Sequence, residues 1–384
     1  MKIKFILLGA LTLVVYGIGS YYAGLRILQS FDTLPAQPFA ICYWILFITV
    51  TLTYFLGRIG NIYFPGDLSD KMVWLGSYWL ATLFYLCLFW LIIDALLFGA
   101  HMLKIIPPGT VPYSLRLGIS GLILAVGIVG YGAWNARTPR ICYYQLKIDK
   151  KANRFRELHV VLVSDLHLGL LVGKDRLELM IEMINHLQPD LVLLPGDILD
   201  ENIGAFVENQ MPEIFHKLKS RLGLFGSLGS HEYVWGHSEK ALECLAKSGI
   251  TILRDAAVNI ADSFYLVGRD DLFREQLTDN PRKQLSLILQ NCDRTLPIIL
   301  LDHRPEKLEE GQLQGVDLQL SGHTHHGQIF PLNIITKKFF PLDYGYLQKN
   351  SYQLIVSSGY GTWGPPIRVG TRSEIVDIKI TFDQ

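Results

Sequence analysis

Four stretches without a charged residue constrain this chain more than any other feature: residues 5–25, 33–57, 72–93 and 117–136. Each is 20 to 25 residues long, and about 20 apolar residues let a helix cross the hydrocarbon of a bilayer. Lipid offers the backbone no hydrogen bonds, so an apolar run of this length is expected to be helical. Tyr21, Tyr22, Tyr131 and Trp134 gather near window ends, where aromatic rings suit the headgroup level. Charge is distributed to match. The 384 residues carry 35 basic and 35 acidic side chains, and only 11 of these 70 precede Arg137. The balance gives no basic excess of the kind that nucleic acid attracts, so no nucleic-acid partner is expected. The bilayer is the expected partner of residues 1–137, a transmembrane anchor of about four helices.

Lys2 and Lys4 precede the first window, but its 21 uncharged residues exceed the roughly 7–15 of a signal-peptide core. An uncleaved anchor is therefore expected. Flanking Lys and Arg set topology. With four spans, Lys2, Lys4, Arg58, Lys71, Arg137, Arg140, Lys147, Lys150, Lys151, Arg154 and Arg156 fall on one side, against Arg26, Lys104 and Arg116 on the other. Both ends, and with them the rest of the chain, are expected on the cytoplasmic side of the cell membrane. Asp94 lies just past the third window and reads as an interfacial residue at a helix end, with no partner visible in the sequence. The five cysteines, Cys42, Cys87, Cys142, Cys244 and Cys292, are scattered and odd in number, which fits a reducing compartment rather than a disulfide framework.

Residues 138–384 read as a second domain. Strands are expected at 141–148, 158–164, 191–194, 222–227, 297–301, 316–320 and 352–357, and helices at 173–187, 205–219, 238–248 and near 281–290. Alternating strands and helices predict an α/β domain with mixed sheets and helices outside.

The residues that carry chemistry follow the apolar strands, where α/β sheets place ligands. Asp165 and His167 stand two apart in SDLH; in extended backbone they would point the same way. Asp197 follows Gly196 directly after LVLLP. Ser230, His231 and Glu232 follow Gly229 after LGLFGSL. His303 and Arg304 follow PIILL. His323, His325 and His326 lie in GHTHHGQ after VDLQLS. Taken singly, most of these have an ordinary explanation as a turn, a cap or a loop histidine. Together they put Asp or His at five strand ends, and imidazoles with carboxylates suit Mn, Fe, Zn or Ni. His101, His159, His186, His216 and His237 lack such a setting and read as ordinary side chains.

The order DLH, GD, G-x-HE, His and GHTHHGQ resembles the calcineurin-like metallophosphoesterase superfamily over roughly residues 140–384. The anchored layout and GYGTWGPPIRVGTRSEI (359–375) are similar to its membrane-anchored branch, which includes the transmembrane protein with metallophosphoesterase domain. The resemblance implies an α-helical membrane domain plus an α/β metallophosphoesterase domain, a β-sandwich of mixed sheets flanked by helices. It implies two divalent metal ions: Asp165, His167 and His325 on one, His303 and His323 on the other, Asp197 bridging, and His231 as proton donor. Glu232 would orient His231. Where the family usually has an asparagine ligand this chain has Ser230, a shorter and weaker donor, so the second ion is expected to bind less tightly. His326 either touches substrate or faces solvent, and Arg304 and Arg368 are candidate phosphate contacts, since guanidinium matches phosphate geometry.

The expected function is hydrolysis of phosphoester or pyrophosphate bonds by metal-activated water. The substrate is a phosphorylated small molecule or a lipid-linked one, and the branch suggests a UDP-diacylglucosamine-like compound. Two alternatives stay open. One is a catalytically weakened phosphoesterase-fold binding or regulatory protein, for which Ser230 speaks. The other is a transporter, which would need polar residues inside the spans.

Overall fold

A computed structural model of the chain describes residues 2–31, 37–107, 113–200, 203–233, 238–278 and 281–383; His237 and positions 33–36 of the second apolar window lie outside them. The chain divides into two compact units, Met1–Ala133 and Trp134–Gln384.

The first unit holds α1 (Lys2–Gln29), α2 (Gln37–Tyr63), α3 (Asp67–Met102) and most of α4 (Leu115–Arg137). All four are long and apolar enough to cross a membrane. Helices α2 and α3 approach closely because small residues line their contact: a Cβ on Gly76 would collide with the backbone of Tyr54, and one on Gly57 with Val73. Small residues serve the same end between helices in lipid generally. Asp94 departs from expectation. It lies two turns inside α3, not beyond its end, and it has partners. Its carboxylate accepts from Arg26 Nη2 at 2.5 Å and Nε at 3.0 Å, from Tyr22 at 2.6 Å and from Tyr113 at 2.7 Å. A charge in an apolar segment is retained only when paired in this way. Arg26 stands 68 positions away, which is why the sequence hid the pair.

The second unit is an α/β sandwich. Its strands are β1 (Arg140–Lys151), β2 (Glu157–Leu162), β3 (Leu191–Pro195), β4 (Leu224–Ser227), β5 (Thr251–Ile252), β6 (Ala256–Ile260), β7 (Phe264–Gly268), β8 (Ile298–Leu301), β9 (Leu318–Ser321), β10 (Gly345–Lys349), β11 (Tyr352–Val356) and β12 (Glu374–Asp383). They form two six-stranded sheets, ordered β1-β12-β2-β3-β4-β5 and β10-β11-β9-β8-β7-β6. Both are mixed. β2, β3, β4 and β5 run parallel, as do β7, β8, β9 and β11. Alternation assigns each face. Val160, Leu162, Leu191 and Leu193 meet Ile299, Leu301, Leu318 and Leu320 between the sheets. Val161, Val192 and Leu194 turn outward onto α5 (Lys174–Leu187), α7 (Met211–Phe215) and α8 (Ser238–Lys247). Ile298 and Leu300 face α10 (Leu285–Ile288) and α11 (Leu308–Leu313) on the far side.

The helix expected over 205–219 is two short ones, α6 (Ile203–Glu208) and α7. Gln210 between them is left-handed and Pro212 opens the second; proline has no N–H to continue a helix. The helix expected near 281–290 shrinks to the single turn of α10. Two further helices complete the unit, α9 (Leu272–Thr278) and α12 (Leu332–Phe339).

Candidate metal centre

The C-terminal ends of β2, β3 and β4 in one sheet and β8 and β9 in the other meet at one edge of the sandwich, and each delivers its residues there. Asp165, His167 and His325 present ligand atoms within 4.8 Å of one another, and so do Asp197, His303 and His323. Within the second set His303 Nε2 lies 3.1 Å from Asp197 Oδ2, and His167 Nε2 of the first set lies 3.9 Å from the same oxygen. The His167 and His325 Nε2 atoms face each other at 3.0 Å.

The approach of the backbone is not the extended one expected. Asp165, His167, Asp197, His323 and His325 all have φ between 47° and 71°. Left-handed backbone is uncommon outside glycine and concentrates at functional sites. The turns let side chains two apart converge on a point rather than run parallel. Neighbouring backbone holds them in place. The His323 N–H donates to Asp165 at 2.9 Å, the His231 N–H to Asp197 at 2.8 Å, and the Ser164 hydroxyl to Asp165 at 2.5 Å. His303 Nδ1 is 2.9 Å from the Pro195 carbonyl. A carbonyl only accepts, so Nδ1 carries the hydrogen and Nε2 is turned to Asp197.

Electrostatics divide the cluster. Burial raises the Asp165 carboxyl, with Asp197 adding to the effect. Burial acts likewise on Asp197, but His303 and His231 outweigh it and hold that carboxyl well below the usual range. Burial would lower His303, yet Asp197 lifts it to about 10. His167 falls to about 3 through burial and His231, and burial first, then His303 beside His323 and His167 beside His325, holds those two rings well below their ordinary value. Three neutral imidazoles with two buried carboxylates, and a proton on His303 beside Asp197, make a donor set that fits divalent cations: cations supply the positive charge the proton now supplies. The buried His167 Nδ1 has no hydrogen-bond partner among the described residues.

The remaining residues sort by position. His231 stands at the rim, its ring 4.5 Å from that of His167. Glu232 does not reach that ring. Its buried carboxylate accepts the N–H groups of Ile198 at 2.7 Å, Leu199 at 2.9 Å, Gly229 at 2.7 Å and Asp197 at 3.2 Å, so it ties the Asp197 turn to the His231 turn. The carboxylate near His231 Nδ1 is Asp200, at 3.6 Å. Asp200 was missed in the sequence; its signal is a second acid three residues after Asp197. Ser230 Oγ lies 3.4 and 3.5 Å from the Asp197 oxygens. The expectation of phosphate contacts meets arginines already engaged. Arg304 pairs with Asp271 at 3.1 Å. Arg368 is wholly buried, and its Nη2 donates to the carbonyls of Ser358, Gly359 and Gly361 and faces His325 Nδ1 at 3.2 Å. His326 turns to Asp343, 3.0 Å away.

Known proteins are similar to this chain in sequence. A sequence model of the calcineurin-like phosphoesterase family matches residues 158–327, the stretch that holds all six clustered ligand residues and His231. An uncharacterized metallophosphoesterase of Helicobacter pylori is 34% identical over 268 residues, 69% of this chain and 70% of its own length. The transmembrane protein with metallophosphoesterase domain of Danio rerio is 31% identical over 70% of this chain, which spans 63% of that protein's length. An uncharacterized metallophosphoesterase of Campylobacter jejuni is 29% identical across 98% of both chains, so that likeness runs through the apolar helices as well. With its acids and histidines gathered at five strand ends and these relatives beside it, the chain belongs to the calcineurin-like phosphoesterase family.

Proposed function

We propose that this protein is a membrane-anchored, metal-dependent hydrolase of phosphoester or phosphoric anhydride bonds, with its site on the cytoplasmic side. The observation that carries the reading is the convergence of Asp165, His167 and His325 beside Asp197, His303 and His323, with His231 at the rim. Asp165, His167 and His325 would hold one divalent ion, His303 and His323 a second, with Asp197 between and Ser230 completing the second set. Bound there, two divalent ions lower the pKa of water and stabilise charge on the attacking and leaving oxygens. The chain's own part is to position and to move a proton. His231 stands where it can protonate the leaving oxygen, Asp200 faces its Nδ1, and Glu232 keeps the two turns in register. The apolar helices hold the site near a bilayer, which favours a lipid-linked phosphate, UDP-diacylglucosamine-like in the branch this chain resembles, over a freely soluble one.

The test is turnover of bis-p-nitrophenyl phosphate and p-nitrophenyl phosphate by the detergent-solubilised full chain with manganese. The wild type should hydrolyse at least one of them. Asp197→Ala should lose nearly all activity, and His231→Ala should lose about 100-fold or more in kcat. Activity that survives Asp197→Ala or exhaustive chelation overturns the proposal.

A further inference from the structure

Helix α12 is built inside out. The side chains it turns toward the protein are polar: Asn333 and Thr336 are half-buried, and the Thr336 hydroxyl donates to Asp343 at 2.9 Å. The side chains it turns outward are apolar. Leu332, Ile334, Ile335 and Phe339 are 38%, 52%, 49% and 77% exposed, and no residue of the helix is buried. Leu332, Ile335 and Phe339 are spaced three and four apart, so they form one stripe. Other exposed large hydrophobics of this unit, such as Tyr143, Val207, Leu287 and Leu313, have no second one within four positions along the chain. Single ones are ordinary, whereas a cluster marks a contact surface.

Three observations select a bilayer as the cover. The unit begins at Trp134, inside α4, a helix long and apolar enough to cross a membrane, and β1 starts three residues after α4 ends. A tether that short keeps the start of the unit close to the end of α4. Lys337 and Lys338 are exposed in the last turn of α12, beside the stripe. Lysines flanking an apolar stripe are the composition of helices that lie in an anionic headgroup layer. The helix also adjoins the metal centre: Phe340, the residue after it, packs edge-on to the His323 ring at 5.8 Å. On the rim's other flank Trp363 is 59% exposed, 6.4 Å from the His231 ring.

We propose that α12 is an interfacial helix that seats Leu332, Ile335 and Phe339 in the headgroup–acyl boundary of an anionic bilayer and so holds the metal centre against phosphates displayed at that surface. The lipid contact stands apart from the hydrolase reading; its consequence for the substrate rests on that reading.

The test uses the full chain in nanodiscs of phosphatidylcholine and phosphatidylglycerol doped with a phosphatidylcholine whose acyl chain carries a diazirine. After photolysis, labelled peptides are mapped by mass spectrometry. Label is expected on the peptide covering 330–340 and on α1–α4, and none on peptides holding Leu287 or Leu313. The double variant Ile335→Glu, Phe339→Glu changes only outward-facing positions. It should cut label on 330–340 by about tenfold while leaving label on α1–α4 and hydrolysis of soluble bis-p-nitrophenyl phosphate unchanged. An unlabelled 330–340 peptide beside labelled α1–α4 overturns the proposal, as does label that persists in the double variant. If 330–340 takes no lipid and a bis-succinimidyl reagent instead joins Lys337 or Lys338 of two copies, the face belongs to a second copy and the proposal is overturned too. A wild type that takes label on α12 yet hydrolyses nothing would remove the hydrolase reading and leave the lipid contact in place.

Discussion

In the proposed two-ion centre, Ser230 is the side chain that would set the strength of the second site. Its hydroxyl already faces the Asp197 carboxylate at 3.4 Å, so the position suits a ligand, while the donor is a neutral oxygen on a short stem. An amide oxygen reaches further and is the stronger donor of the two. Ser230→Asn should therefore tighten manganese at the second site by about tenfold, seen in calorimetric titration of the full chain as a steeper second phase. An unchanged or weaker second phase would show that Ser230 does not stand in the ligand set. Arg368 teaches the opposite lesson. An arginine in a Gly-rich stretch invites a phosphate, but burial commits its guanidinium to carbonyls at 358, 359 and 361, and its fork matches that fan of acceptors.

At the scale of elements, the site depends on turns that follow strands closely enough to touch one another. Gly229 is one such close approach outside the left-handed turns: a Cβ there would run into the carboxylate and amide of Asp197. Gly229→Ala should push Asp197 off position and cut manganese-dependent turnover by about 100-fold. Gly315 makes the control. It has φ of 70° with open space around it, so Gly315→Ala should cost about 1 kcal/mol of backbone strain and leave turnover unchanged. Equal loss in both variants would mean that the Asp197 turn tolerates displacement. The short strands themselves were legible because they are apolar on both faces, as buried parallel strands are. The division of 205–219 was not, since Pro212 lies within an otherwise helical pattern. β12 was not read as a strand at all, although it sits between β1 and β2 at the centre of its half of the sheet.

On the scale of the whole molecule, a half-buried ion pair holds the apolar unit. Asp94 binds Arg26, Tyr22 and Tyr113 together, and the Arg26 guanidinium lies 4.7 Å over the Tyr113 ring. Breaking one member strands the other in an apolar setting. Asp94→Asn should lower the stability of the detergent-solubilised chain by about 1–3 kcal/mol, the low end reflecting partial exposure, with bis-p-nitrophenyl phosphate hydrolysis retained. Thermal unfolding equal to wild type would show the pair to be dispensable. A transporter would want such a group open to a pathway; here every oxygen of Asp94 is already bonded.

Membrane helices and the list of reactive residues came from the sequence by itself, because both are local: twenty uncharged residues need no fold to be recognised, and a cluster such as GHTHHGQ has little reason to exist in a core. What only the tertiary structure decided was partnership. Which acid faces His231, what Glu232 and Arg368 hold, where Asp94 finds its cation, and that α12 turns its apolar side outward all depend on contacts between residues far apart in the chain. Sequence spacing predicts the face a side chain takes on its own element, but the opposing face is supplied by whichever element the fold packs there.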